Sequence, residues 1–248
     1  MEEFEFVVVG SGVGLNVLST AINRGMECAL VENTKIGGTC LTRGCIPSKI
    51  LVYPADVIRN VEHAKKVGVQ YSLDKIDWSL ISDRMWEQIE EGKQIEKSLK
   101  TVPNLKLFKG VGEFTNDYEM KVISNMGSKE LGHFKGKQFL LASGARTAIP
   151  PVKGLDTIDY ITNESFFGEK FPKKPYNSLI IIGGGVFAVE FAHIFSAMGT
   201  EVTVIEMLPR LISTEEPEIS EFLAIKKHLV YRRCKWKVSI SSYGKLRG

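Results

Sequence analysis

The chain has 248 residues, of which 44% are hydrophobic and 25% charged, a composition typical of folded globular proteins and unlike that of disordered or fibrous ones. No stretch approaches the roughly 18 apolar residues that a transmembrane helix requires, and the acidic start lacks the basic region of a secretory signal, so we expect a cytoplasmic protein without a membrane partner. All 29 acidic residues precede Ala224, so the body of the chain is net negative and gives no reason to expect a nucleic acid partner.

The first elements along the chain predict a strand, a helix and a second strand. "FEFVVVG" is a short β-branched run that ends at a glycine, which is typical of a buried strand. "LNVLSTAINRG" has helical spacing and a glycine stop at Gly25, and "CALVE" indicates the next buried strand. A βαβ unit of this length implies a parallel sheet.

The rest of the chain predicts a helical region, further strands and a second βαβ unit. Residues 50–100 look largely helical; "LKLFKGVGEF" and "EMKVIS" predict short antiparallel strands; and "KQFLLASG" predicts one more buried strand. After a proline-rich linker, "NSLIIIGGGVFAVEFAHIFSAMGTEVTVIE" repeats the strand, glycine turn, helix and strand. We therefore expect an α/β protein with two Rossmann-like dinucleotide-binding units.

The first glycine turn, "GSGVGL", has most of the dinucleotide-binding fingerprint. Gly10 and Gly12 stand where the turn must be tight and where the backbone must approach a pyrophosphate. The third marked position is Leu15, which departs from the fingerprint, although Gly14 lies one place earlier. Glu32 ends the second strand, where an acid can bind ribose hydroxyls.

The second turn, "GGGVFA", fits the fingerprint more closely. It supplies Gly183, Gly185 and the small residue Ala188, and Glu206 ends the following strand. An acid there accepts hydrogen bonds from a free 2′-hydroxyl and repels a 2′-phosphate, which favours NADH, although the nearby Arg210 keeps NADPH open. The alternative interpretation of either turn is a tight strand-to-helix connection that binds nothing.

Two cysteines, Cys40 and Cys45, lie in "GGTCLTRGCIPSK". A structural zinc site needs four ligands, and neither the other cysteines nor the four histidines have a matching spacing, so we expect no metal. Without a metal, the two cysteines are either a redox-active pair or an accidental pair of inert thiols. Pro47 and Ser48 predict that Cys45 begins a helix, where the helix dipole and Lys49 favour a thiolate.

Taken together, "GSGVG", "GGTCLTRGCIPSK" and "GGGVFAVEFA" resemble the FAD-dependent pyridine nucleotide–disulfide oxidoreductases of class I, and within them most of all the dihydrolipoamide dehydrogenases. The resemblance covers Met1 to about Glu221. It implies that FAD binds the first unit, at Gly10, Gly12, Gly14, Glu32, Gly38, Thr39, Cys40, Lys49, Gly112, Ser143 and Gly144. It implies that NAD, or less favourably NADP, binds the second unit, at Gly183, Gly185, Ala188 and Glu206.

The resemblance also implies four catalytic residues. Cys40 would attack the substrate disulfide, and Cys45 would be the thiolate beside the flavin. Lys49 would reach the flavin N5 region and pair with Glu190. A solvated lysine and a helix-surface carboxylate are the alternative interpretations of that pair.

The resemblance divides the chain into an FAD-binding domain over residues 1–150, an incomplete NAD(P)-binding domain over 151–223 and an anomalous basic tail over 224–248. Members of the family are about twice as long and homodimeric, with an interface domain that supplies a His-Pro…Glu acid–base pair, and we expect this chain to lack that domain. A frameshift near Leu223 or a fragmentary gene would explain the tail; a genuine basic tail for a partner is the alternative.

The predicted function is therefore electron transfer between NAD(H), FAD and a redox-active Cys40–Cys45 disulfide, and on to a small disulfide or protein-bound lipoyl substrate, as part of cell redox homeostasis. One alternative is a reductase of another low-molecular-weight disulfide or of mercuric ion. The other is a non-catalytic nucleotide-binding remnant of a truncated gene.

Overall fold

The computed structural model describes residues 1–127, 129–230 and 234–238, and the chain divides into two units. The first unit contains Met1–Pro47 and Trp86–Glu169, and the second contains Ser48–Met85 and the chain from Lys170 onward. The domain boundaries at residues 150 and 223 stay a prediction of the sequence. None of the helices in the described part of the chain is long and apolar enough to cross a membrane.

The part of the first unit that the structure describes contains six strands, which in chain order are β1 (Glu2–Val9), β2 (Cys28–Val31), β3 (Leu105–Phe108), β4 (Val111–Asn116), β5 (Glu119–Ile123) and β6 (Glu130–Leu141). They form one sheet in the order β3-β2-β1-β6-β5-β4. β1 is parallel to both β2 and β6, whereas β4, β5 and β6 form an antiparallel meander. The expected parallel βαβ unit at the start of the chain is confirmed.

The expectation for the segment "LKLFKGVGEF" was wrong in its first half. Leu105–Phe108 forms β3, which pairs parallel with β2, and only Val111–Asn116 is antiparallel. All four residues of β2 are buried, and β2 is hydrogen-bonded to β1 along one edge and to β3 along the other. The local sequence indicates a strand but does not say which neighbour it joins.

The helices are α1 (Gly14–Asn23), α2 (Gly38–Arg43), α3 (Cys45–Ala64), α4 (Trp78–Leu99), α5 (Asn163–Phe166), α6 (Val186–Ala197) and α7 (Pro217–Val230). Short 3₁₀ turns cover Lys65–Val67 and Leu155–Thr157. The largely helical region predicted between residues 50 and 100 is confirmed by α3 and α4.

Adjacent residues of β1 point into two different apolar clusters. Val7 packs with an aromatic group that includes Phe4, Phe108 and Phe134, whereas Val8 packs with Leu18 of α1 and with its neighbours. Successive side chains of a strand face opposite sides of a sheet, so β1 is buried on both faces. This burial fixes the end of β1, and with it the glycine turn that follows.

Among its described residues, the second unit contains three parallel strands, β7 (Ser178–Ile182), β8 (Glu201–Glu206) and β9 (Cys234–Val238), in the order β7-β8-β9. Helix α6 connects β7 to β8, which confirms the second βαβ unit. Strand β9 pairs with β8 from Val202 opposite Cys234 to Glu206 opposite Val238.

Strand β9 lies within residues 224–248, which the resemblance assigns to an anomalous basic tail. The backbone of Cys234–Val238 extends the parallel sheet of the second unit, and its sequence, CKWKV, alternates apolar and basic residues as is typical of a strand. The other residues of the tail after Val230, 231–233 and 239–248, lie outside the described part of the chain.

Candidate active site

A cavity of about 1030 Å³ opens at the carboxyl ends of the parallel strands of the first unit. Carboxyl strand ends are where ligands bind in open α/β sheets. Nine of the eleven residues expected at FAD line this cavity, namely Gly10, Gly12, Glu32, Gly38, Thr39, Cys40, Gly112, Ser143 and Gly144. Of the other two, Gly14 packs behind the turn, and Lys49 belongs to the second unit. Residues far apart in sequence thus form one site.

Two glycine segments approach each other along the wall of this cavity. Gly38 has a φ of +61°, and a Cβ there would lie 2.4 Å from the Cα of Gly12. Gly10 has a φ of +102°, and its Cβ would lie 2.2 Å from the carbonyl oxygen of Ala142. Side chains at these positions would therefore push apart the backbones that form the cavity wall. The residues present fit the pyrophosphate of a dinucleotide, which needs bare backbone and the N-terminus of α1.

Gly14 takes over the packing role of the third fingerprint glycine. It is buried in the first turn of α1, and a Cβ at Gly14 would lie 2.7 Å from Cγ1 of Val8 and 3.1 Å from the Cβ of Ala142. The third glycine of the fingerprint allows close packing of helix on strand. Leu15 occupies the third marked position, but Gly14, one residue earlier, provides the close packing.

Glu32 is buried and fully hydrogen-bonded. One carboxylate oxygen, Oε2, accepts from the backbone N–H of Ser11 at 2.8 Å and from its hydroxyl at 2.7 Å. The other, Oε1, accepts from the N–H of Thr34 at 2.7 Å and from its hydroxyl at 2.9 Å. Burial opposes ionisation of Glu32, but these hydrogen bonds outweigh it and hold the pKa below its ordinary value of 4.5. Glu32 is therefore a charged acceptor inside the cavity wall.

Cys40 and Cys45 are both exposed, and no disulfide joins them in this structure. Helix α3 begins at Cys45, as the sequence predicts. The hydrogen bond between the two thiols raises the pKa of Cys40, with burial as a smaller cause, although backbone N–H groups of Ile46 and Cys45 act in the opposite direction. Backbone N–H groups at the start of α3 thus face the Cys40 sulfur, and the two thiols are in hydrogen-bonding contact.

Lys49 lies one helical turn after Cys45 in α3, and its ammonium forms an ion pair with the carboxylate of Glu190 in α6. Both residues of the pair belong to the second unit. The pairing agrees with what the resemblance implies. About 60% of the Lys49 side chain and 22% of the Glu190 side chain are exposed, so the pair is not a buried core feature.

The second glycine turn connects β7 to α6. Gly183 has a φ of +103°, whereas Gly185 caps α6 with extended backbone, and a Cβ at Gly185 would meet nothing within 4 Å. Ala188 is buried in the first turns of α6. This open space beside the helix N-terminus suits a bound phosphate.

Glu206 is held at the end of β8. It accepts hydrogen bonds from the backbone N–H groups of Gly184 and of Leu208, the latter at 2.7 Å. Arg210 donates to the carbonyl oxygens of Ser213 and Glu215 and to the hydroxyl of Ser220. The guanidinium of Arg210, which could otherwise accommodate a 2′-phosphate, is therefore hydrogen-bonded to nearby residues of the chain.

Sequence reasoning missed several polar residues of the cavity. Ser11 lies inside the first glycine turn and is 1% exposed. Arg43 forms an ion pair with Glu164 at 3.7 Å, and both line the cavity with Cys40. The fingerprint marks only glycines and the terminal acid, so nothing in its pattern singles out the residue between Gly10 and Gly12. Among the described residues, no group of three or more His, Cys, Asp or Glu could hold a metal ion.

The family profile described as "Pyridine nucleotide-disulphide oxidoreductase" matches residues 4–236. The chain belongs to this family. The match extends beyond Glu221, where we expected the likeness to end, and reaches the residues of β9. The limit expected near Glu221 was therefore wrong.

Individual relatives are about 30% identical to this chain over the aligned residues. The dihydrolipoyl dehydrogenase of Chlamydia pneumoniae is 32% identical over 97% of this chain and 51% of that protein. The mercuric reductase of Bacillus cereus is 30% identical over 92% of this chain and 34% of that protein. The mycothione reductase of Mycobacterium tuberculosis is 29% identical over 83% of this chain and 44% of that protein. This chain thus spans about half the length, or less, of these curated relatives.

A solved structure supports the same fold. The Cu(II) complex of the HOCl-induced flavoprotein disulfide reductase RclA from Escherichia coli aligns with a TM-score of 0.80 at 25% identity. The alignment covers 97% of this chain and 50% of that one. The mixed α/β architecture with parallel sheets is therefore shared with a flavoprotein disulfide reductase.

Proposed function

We propose that this chain carries the FAD site, the NAD site and the redox-active cysteines of a disulfide oxidoreductase whose substrate is lipoamide or a protein-bound dihydrolipoyl group. The observation that carries the proposal is the presence of Cys40 in the same cavity wall as eight other residues expected at FAD, with Cys45 in hydrogen-bonding contact. The family uses FAD and NAD(P)H generally, and the cytoplasmic location stays part of this proposal.

The two cysteines would carry the thiol–disulfide step. The Cys40 thiolate attacks one sulfur of the substrate disulfide, which forms a mixed disulfide and releases one substrate thiolate. The Cys45 thiolate then attacks the Cys40 sulfur, which releases the second substrate thiolate and leaves a Cys40–Cys45 disulfide. Two electrons leave the protein and two protons are taken up by the product, and the reverse sequence oxidises dihydrolipoamide.

The remaining residues would bind and orient. Bound FAD supplies the chemistry that exchanges a hydride with nicotinamide and electrons with thiols. Gly10, Gly12 and the start of α1 would hold its pyrophosphate, and Glu32 would hold a ribose. Lys49 would place positive charge where negative charge develops, with Glu190 fixing its position. Glu206 would select NAD over NADP.

Spectroscopy of the purified chain tests the proposal. We expect the protein to bind added FAD, to be bleached by NADH in the absence of oxygen, and to regain its colour with lipoamide. The matched variants Cys40→Ser and Cys45→Ser should still bind FAD but lose the lipoamide step. A protein that stays colourless with excess FAD would instead support a non-catalytic remnant.

Other disulfide substrates are outcomes of the same experiment. The relatives include mercuric and mycothione reductases, so oxidised mycothiol-type disulfides and Hg²⁺ belong in the same assay. Recolouring by Hg²⁺ or by another disulfide, but not by lipoamide, would keep the cysteine chemistry and replace the proposed substrate.

A further inference from the structure

The Glu32 carboxylate has no acceptor position left for a ligand. An ionised carboxylate has two oxygens with about four lone-pair positions, and Ser11 and Thr34 each supply two donors to it. A ribose hydroxyl can bind Glu32 only if one of these four donors moves away. The two backbone N–H groups are fixed by the turn and loop that contain them, so one of the two hydroxyls must move.

Ser11 cannot release Glu32 without a second loss. The residue is 1% exposed, and its hydroxyl oxygen also accepts a hydrogen bond from the backbone N–H of Gly37 at 3.1 Å. Rotating this hydroxyl would break the contact with Glu32 and disturb the contact with Gly37, and at 1% exposure Ser11 has little contact with water to replace them. A buried donor or acceptor left without a partner costs more than an average hydrogen bond contributes.

Thr34 can release Glu32 at little cost. The residue is exposed, so its hydroxyl can turn to water after it leaves the carboxylate. Its backbone position does not depend on that hydroxyl, because the N–H of Thr34 still donates to Glu32 and its carbonyl oxygen accepts from Lys109. Breaking the hydrogen bond to Glu32 therefore costs less free energy for the Thr34 hydroxyl than for the Ser11 hydroxyl.

We propose that the Thr34 hydroxyl donates to Glu32 at the position that an adenosine ribose hydroxyl takes over when FAD binds. The Ser11 hydroxyl, in contrast, stays hydrogen-bonded to Glu32. The inference rests on the proposed FAD site and goes beyond it, since it assigns a competing role to a residue outside the fingerprint. Thr34 would lower the affinity for FAD while keeping Glu32 ionised and oriented in the free protein.

Comparative FAD titration of variants tests the assignment. Thr34→Val keeps the branched shape and the backbone N–H but removes the hydroxyl, so FAD should bind about two- to tenfold more tightly, the range set by one net hydrogen bond. Thr34→Ala should show the same direction, and Thr34→Ser, which keeps a hydroxyl, should bind like the unmodified protein. Ser11→Ala should bind FAD more weakly, because Glu32 loses the hydrogen bond that holds it in position and the N–H of Gly37 loses its acceptor.

An FAD analogue without the two adenosine ribose hydroxyls provides the decisive control. The gain from Thr34→Val should disappear with this analogue, because no ribose hydroxyl then competes for Glu32. Equal or weaker FAD binding by both Thr34→Val and Thr34→Ala, with unchanged thermal unfolding, would overturn the inference alone. Failure of the unmodified protein to bind FAD would overturn the proposed function.

Discussion

The ammonium of Lys49 forms an ion pair with the carboxylate of Glu190, which lies 141 residues later in the chain. The pair links α3, which begins at Cys45, to α6, which begins at the second glycine turn. It therefore joins, within the second unit, the helix that follows the redox cysteines and the helix that follows the expected NAD site.

Removing the Lys49 charge should affect electron transfer far more than stability. Exposed ion pairs contribute about 0–1 kcal/mol to unfolding, so Lys49→Met should change the unfolding free energy by no more than that. Loss of a positioned charge should slow bleaching of bound FAD by NADH by about tenfold or more. Urea unfolding and stopped-flow absorbance measure the two effects, and Glu190→Gln should give a smaller slowing. Unchanged bleaching in Lys49→Met would exclude the proposed role of the lysine.

Cys45 should control the ionisation of Cys40. The hydrogen bond between the Cys40 thiol and Cys45 is the largest cause that raises the pKa of Cys40, so Cys45→Ala should lower that pKa. A lower pKa gives more thiolate at a given pH, and the midpoint of Cys40 alkylation by iodoacetamide should move to lower pH. Peptide mass spectrometry follows the site, and the buried Cys28, whose pKa burial raises, should react slowly in both proteins. An alkylation midpoint that stays at the same pH or rises in Cys45→Ala would contradict the hydrogen bond between the two thiols.

Alanine at Gly12 and at Gly14 should separate ligand approach from helix packing. A Cβ at Gly12 would lie 3.6 Å from the Cα of Gly38, an ordinary contact, whereas one at Gly14 would lie 2.7 Å from Val8. Gly14→Ala should therefore cost about 1–3 kcal/mol of unfolding free energy through overpacking. Gly12→Ala should keep stability within about 0.5 kcal/mol and weaken FAD binding by about tenfold or more, because its methyl group faces the expected pyrophosphate.

Denaturant unfolding and FAD titration on both glycine variants provide the measurement. The matched pair is informative because the two glycines lie two residues apart in one turn. Equal loss of stability in both variants would mean that Gly12 also serves packing. A normal FAD affinity in Gly12→Ala would show that the pyrophosphate does not approach this turn.

Glu206 should decide between the two nicotinamide cofactors. Its carboxylate is held by the N–H groups of Gly184 and Leu208, and an acid at this place repels a 2′-phosphate. We expect higher kcat/KM with NADH than with NADPH, and Glu206→Ser should narrow that ratio by about tenfold. Arg210→Gln should lower stability through its lost contacts with Ser213, Glu215 and Ser220 but leave the ratio nearly unchanged. A ratio that depends on Arg210 would assign cofactor choice to the arginine instead.

The sequence by itself determined the two βαβ units, the cysteine motif and the family, because each of these is written in residues close together in the chain. Apolar β-branched runs that end in glycine specify strand and turn through local backbone preferences. The start of α3 at Cys45 could likewise be predicted, since Pro47 and Ser48 favour a first helical turn.

Only the tertiary structure decided how distant segments use these local elements. It placed β3 beside β2 as a parallel strand. It gave Gly14 the packing role that Leu15 cannot fill. It also brought both Ser11 and Thr34 into hydrogen-bonding contact with the Glu32 carboxylate. The physical reason is that propensity acts between neighbours in sequence, whereas close packing and the satisfaction of buried polar groups are settled among residues that meet only after the sheet has formed.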